Sequence, residues 1–183
     1  MGIKLTGLTT LFLSATIGMV IGVPLYVVQQ MHIENILLCS SGTGGIKIPE
    51  VVCESYLTRL RGTPEDIERL SQGAGLAYIL ANSDNKKRFR HADFLITKGL
   101  SVDGINHYTT GKLTPLHCAI LAKDINAVNY LLSKGASLEA REIKNNQTPL
   151  EFAQQLAKAE KSPEIAEIME MLSPKNTPAI EER

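Results

Sequence analysis

The four histidines, His32, His91, His107 and His117, are scattered along the chain and show no metal-ligand spacing. Ser83-Asp84-Asn85-Lys86 overlaps two serine acyl-enzyme words, but in those enzymes the words come from separate segments and need a KTG partner, which is missing. HExxH, GxSxG and an HxE with a CxxC are also missing. The glycine-rich stretch Ser40–Gly45 is no phosphate loop, because Lys47 is followed by Ile48 instead of Ser or Thr. The sequence therefore predicts no enzyme, no catalytic residue, no cofactor, no metal and no small-molecule substrate.

Two features retain chemical interest. Cys39 and Cys53 flank the glycine-rich stretch; in an oxidising compartment they can pair, and in a reducing one they stay free thiols. Lys86-Lys87-Arg88-Phe89-Arg90 is basic with one aromatic, which suits a phosphate or acidic partner but fits a solvated helix start better. Lys+Arg and Asp+Glu are both 19, so the chain has no formal net charge. That excludes nucleic-acid binding by bulk electrostatics.

The elements that position these residues begin with an apolar run. Leu5 to Met31 carries no charge. A bilayer core about 30 Å thick needs roughly 20 apolar residues, so this run is long enough to span. A cleaved signal peptide would show a small-residue site after Val28, and none is convincing. A lipoprotein signal fails because Ile36, Leu37 and Leu38 precede Cys39. The expectation is an uncleaved signal anchor over 1–32. Lys4 precedes the run and no Lys or Arg follows before Lys47, which puts the N-terminus in the cytoplasm and the body outside it. The myristoylation pattern at Met1–Thr6 is redundant beside such a helix. Gly18 and Gly22 form a GxxxG, which also fits ordinary glycine usage in a membrane helix.

Residues 33–48 are expected to be a flexible linker, 49–174 a helical cap followed by a repeat domain, and 175–183 a polar tail. In the cap, Val51, Val52, Tyr56, Leu57 and Leu60 are expected on one buried helix face. Thr63-Pro64-Glu65-Asp66 starts a second helix with a cap, a first-turn proline and two acids. A third is expected to run to about Thr97.

Internal repetition then decides the fold. Thr114-Pro115-Leu116-His117 recurs 34 residues later as Thr148-Pro149-Leu150-Glu151, and Leu131–Gly135 has an earlier copy at Leu95–Gly99. With Gly111, Ala119, Val128, Leu131-Leu132 and Gly135-Ala136 at fixed offsets, Gly111–Ala140 resembles the ankyrin repeat. The resemblance implies an all-α ankyrin-repeat solenoid of about three repeats with degenerate ends; the helical N-terminal cap and the N-terminal transmembrane helix, read from the residues themselves, complete the expected fold. The third repeat, Thr148–Leu172, carries about six surplus residues near Ala157–Ser162. The first, roughly Gly73–Asn106, lacks TPLH, and its inner helix register stays open.

The resemblance also implies a binding module that grips another protein by its hairpin tips and the concave face of its inner helices, with His117 bonding inside the repeat. Tyr108, Arg141 and Phe152 are the expected anchors, with Leu121, Lys144 and Gln155 completing the partner-binding set; each also fits a plain surface or packing role. A small, singly anchored ankyrin protein looks like the immunity proteins that bacteria pair with secreted antibacterial effectors, especially lipase-type effectors of type VI secretion. The expected setting is then the bacterial inner membrane with the body in the periplasm and a toxin as partner. The alternative is a membrane-anchored cytoplasmic scaffold or adaptor.

Overall fold

The computed structural model describes residues 22–81 and 85–173, and these form two compact units divided between Arg61 and Gly62. The described residues hold helices and no strand. No helix among them is long and apolar enough to cross a membrane. Most of the run expected to span, with the myristoylation pattern and Gly18, lies outside the described residues, as do Ser83-Asp84 and the polar tail. The end of that run, 22–30, is helical.

The unit up to Arg61 also contains α1 (Ile33–Ser40) and α2 (Glu50–Leu60), which pack together. The expected linker is thus half helix. Ile33, Ile36 and Leu37 recur at helical spacing and are buried. Cys39 and Cys53 form a disulfide that ties α1 to α2, with Cα atoms 5.8 Å apart. The bond turns Cys53 and Leu57 inward, so the buried face of α2 is not the one expected: Val51 and Leu60 are 73% and 63% exposed. Arg61 donates from Nη1 to the Met31 carbonyl at 2.8 Å and fixes the end of α2.

The unit from Gly62 opens with α3 (Pro64–Gln72). Thr63 accepts from the Asp66 N–H while Asp66 accepts from the Thr63 N–H, a reciprocal cap. The expected cap pair 49–72 is therefore divided: α2 belongs to the first unit, and α3 belongs to the second, where it packs on the first inner helix of the stack.

Three helix pairs follow: α4 (Gly75–Ala81) with α5 (Asn85–Thr97), α6 (Pro115–Leu121) with α7 (Ile125–Ser133), and α8 (Pro149–Ala159) with α9 (Pro163–Met171). The inner helices α4, α6 and α8 stack in order. In the outer row α7 packs on α9, and the Phe89 ring of α5 lies 4.7 Å from the Tyr130 ring of α7. Leu76, Leu95, Leu116, Ile120, Leu131, Ile165 and Ile168 fill the seam and are fully buried. Gly135, at φ 81°, makes the left-handed stop after α7.

The structure settles the register of the first pair. The burial of Gly73–Leu80 reproduces that of Leu113–Ile120 position by position. Gly75 therefore stands where Pro115 does, and Ala77 where His117 does. In the third pair the surplus is an extra turn of inner helix, since α8 has eleven residues and α6 has seven. The connections 122–124 and 160–162 are equally short, so the surplus is smaller than the six expected.

Candidate functional site

The inner helices α6 and α8 are each entered from a long turn-rich segment, which forms a tip; α4 follows α3 after only two residues. In the first tip, Asn106 N–H donates to the Leu113 carbonyl at 2.8 Å, and the Thr109 hydroxyl accepts from Leu113 N–H at 2.9 Å. Tyr108 N–H donates to Asn106 Oδ1 at 3.0 Å, which holds the backbone and leaves the Tyr108 side chain 78% exposed.

The second tip is organised by Glu142, which is buried. Its carboxylate accepts from the backbone N–H groups of Lys144 and Asn145, both at 2.7 Å, and of Gln147 at 3.3 Å. These bonds replace the water that a buried charge loses. Ile143 N–H donates to the Gly111 carbonyl at 3.0 Å, and Ser137 N–H donates to Asp103 Oδ1 at 3.0 Å. The two tips are thus fixed to each other. Sequence reasoning missed Glu142, because one acid among polar tip residues gives no sign that three N–H groups converge on it.

His117 joins tip and helix. A carbonyl only accepts, so the bond between His117 Nε2 and the Gln147 carbonyl at 3.1 Å places the proton on Nε2. Nδ1 then accepts from the Thr114 hydroxyl at 2.8 Å, while that oxygen accepts from His117 N–H. Burial pushes the imidazole below its usual 6.5, against the Gln147 carbonyl and the Glu142 charge that pull it up. His117 is neutral, and its role is structural. In the third pair Glu151 takes the same position. It accepts from Thr148 N–H at 2.8 Å and from Arg141 Nη1 at 3.1 Å, and these hold its carboxyl below the ordinary range.

The expected partner-binding residues are not all in one place. Arg141 and Gln155 line one open polar groove of about 400 Å³ with Asn146, Glu151 and Lys158. Arg141 also donates to the Asn146 carbonyl at 2.6 Å, so it braces the tip it projects from. Lys144 is exposed on the tip itself. Leu121, half exposed, ends the preceding inner helix, and Tyr108 stands on the preceding tip. Phe152 is only partly exposed, with its ring edge-on to His117 at 5.4 Å, so it packs within the stack. Among the described residues no cluster of three His, Cys, Asp or Glu side chains is placed to hold a metal.

The segment from the first tip through α6 and α7 to the second tip has a known counterpart. Residues 112–143 match the ankyrin repeat. No curated protein and no solved structure matches the chain. The ankyrin repeat is a protein–protein interaction module and is typically not catalytic. The flanking pairs α4–α5 and α8–α9 stack on the matched ankyrin repeat with the same inner and outer arrangement.

The basic run before the ankyrin repeat is also reassigned. Arg88, expected on a solvated helix start, is buried. Its guanidinium pairs with the Asp124 carboxylate, which caps α7 by accepting from Ala127 N–H at 3.0 Å. It also donates to the Leu80 carbonyl at 2.9 Å.

Proposed function

We propose that the protein is a non-catalytic binding module tethered to a membrane by its N-terminal run, with the ankyrin body on the non-cytoplasmic side. The observation that carries the binding role is the pair of braced tips beside the Arg141–Gln155 groove. They leave Tyr108, Lys144 and Gln155 free to meet a partner on a pre-shaped surface. Aromatic and arginine side chains supply most of the energy of such contacts. The Cys39–Cys53 disulfide supports the orientation, because such bonds persist in oxidising compartments. It favours a periplasmic body over the cytoplasmic adaptor.

The specific reading is an immunity protein of the bacterial inner membrane. It would bind and neutralise a lipase-type effector delivered by a neighbour's type VI secretion system. Anchoring keeps the antidote where the toxin arrives. The test is co-purification with the effector encoded beside it, combined with exposure of a deletion strain to a toxin-delivering sibling. Capture of the effector and death of the deletion strain are expected. Survival of that strain, or a C-terminal reporter active only in the cytoplasm, refutes the immunity reading.

A further inference from the structure

In the unit up to Arg61 large apolar side chains stay exposed: Val23, Leu25, Tyr26, Val51 and Leu60 are 46–73% accessible. Leu25 of the helical segment 22–30 faces Val51, Val52, Tyr56 and Leu60 of α2 across an open groove of about 340 Å³, whose lining also includes Arg59. Leu25, Val51, Val52, Tyr56 and Leu60 thus gather at one groove, and exposed apolar side chains gathered in this way mark an interaction surface.

The chain that enters the groove indicates what covers it. Leu25 lies inside the uncharged run Leu5–Met31, so the groove wall continues directly from the segment proposed to enter the bilayer. A protein partner on this face would have to stop where that segment meets lipid, whereas lipid covers both without a break. Arg59 suits a phosphate headgroup, and Tyr26 and Tyr56 are amphipathic rings of the kind that settle at the headgroup level.

We infer that the face formed by 22–30 and the outer side of α2 is seated in the headgroup–acyl boundary of a phospholipid bilayer. The disulfide-locked unit is then an interfacial foot and not a spacer held in water. The inference rests on the membrane-tethered reading above. It goes further by assigning lipid contact to α2, far past the run itself in sequence.

The chain has no tryptophan, so single tryptophans report cleanly. Val51→Trp and Leu60→Trp replace exposed side chains, and an intact Cys39–Cys53 bond checks that each variant is folded. The full chain is reconstituted into phosphatidylcholine vesicles whose acyl chains are either ordinary or brominated near the headgroup. Vesicle flotation is measured beside tryptophan emission. Co-flotation with blue-shifted emission that the brominated lipid quenches is expected for both variants. Co-flotation with water-like, unquenched emission overturns the foot and leaves the tether standing. Blue-shifted but unquenched emission means a protein surface, such as a second copy, covers the groove, and also overturns it. Failure to float overturns the tether and the foot together.

Discussion

Replacing Asp124 by alanine strips one carboxylate from two jobs. It is the counter-charge of Arg88, whose side chain is 7% accessible, and it is the N-cap of α7. Removing one partner of a buried ion pair costs about 3–5 kcal/mol, mostly because the remaining charge is stranded. Asp124 is itself a quarter accessible and Arg88 keeps the Leu80 carbonyl, so the low end, about 3 kcal/mol, applies. The lost cap adds about 1 kcal/mol. Asp124→Asn keeps the cap and removes the charge, so it separates the two contributions. The difference between the Ala and Asn variants is expected near 1 kcal/mol. Urea unfolding followed by far-UV circular dichroism measures both. Asp124→Ala paired with Arg88→Met is expected to recover much of the loss, since an apolar side chain of similar length needs no counter-charge. The acid side follows from the same pair. Burial raises the Asp124 carboxyl, but Arg88 and the Ala127 N–H outweigh it and hold it below 3.8. Its contribution is therefore complete above the unfolded value and drains away as the pH falls through the lower folded value. A loss under about 1 kcal/mol for Asp124→Ala would refute the account of Arg88 as a buried, paired charge.

His117 titrates in the opposite chemical sense but the same pH direction. Burial depresses its pKa below 6.5, so the neutral ring stabilises the fold above that value and the benefit is lost as the pH falls. Urea midpoints should drop between neutral pH and about pH 5, and His117→Gln should flatten that slope. Thr148→Ala removes the side-chain half of the α8 capping box, the bond from Glu151 N–H, while the backbone N–H of residue 148 keeps Glu151; it is expected to cost about 1 kcal/mol, read as a lower thermal midpoint. Reducing Cys39–Cys53 opens a 14-residue separation, worth about 3 kcal/mol, and should speed tryptic cleavage at exposed Lys47; an unchanged rate refutes that role for the bond.

What the residues disclosed was local. Thr63-Pro64, Thr114-Pro115 and Thr148-Pro149 each mark a helix start, because a cap and a first-turn proline act within four residues. The α4 register was hidden, because Gly75 and Ala77 replace the proline and histidine that mark the pattern, leaving only burial to show it. The linker reading does not hold at Ile33–Ser40, which is helical: its apolar residues follow the long uncharged run, and the helix they form packs against α2, where Cys39 bonds Cys53. Arg88 looked like surface charge, since its partner lies 36 residues away on the next repeat. For the candidate surface, the repeat register put Arg141 on a tip and Gln155 on an inner helix; that both line one groove, and that Phe152 turns inward onto His117, is visible only in the packed structure.

Within each helix the backbone bonds close on themselves, so the spacing of one repeat from the next depends on packing and on a few links that cross. Those links join residues about one repeat apart: Asp103 with Ser137, Arg88 with Asp124, Asp93 with Tyr130, and Lys123 with Glu160. Stability in such a stack is a sum of repeat and neighbour terms, and three pairs leave little redundancy. A partner that spans Tyr108 on one tip and the groove beside the next gains from their fixed spacing, because less ordering cost falls on binding. Asp124 faces neither tip, yet its loss loosens the α5–α7 link that helps hold them in register. Asp124→Ala is therefore expected to weaken partner capture under conditions where the variant is still folded, while Asp124→Ala with Arg88→Met restores it. Equal capture by the wild type and the folded Asp124→Ala variant would separate the stability of the stack from the shape of its binding surface.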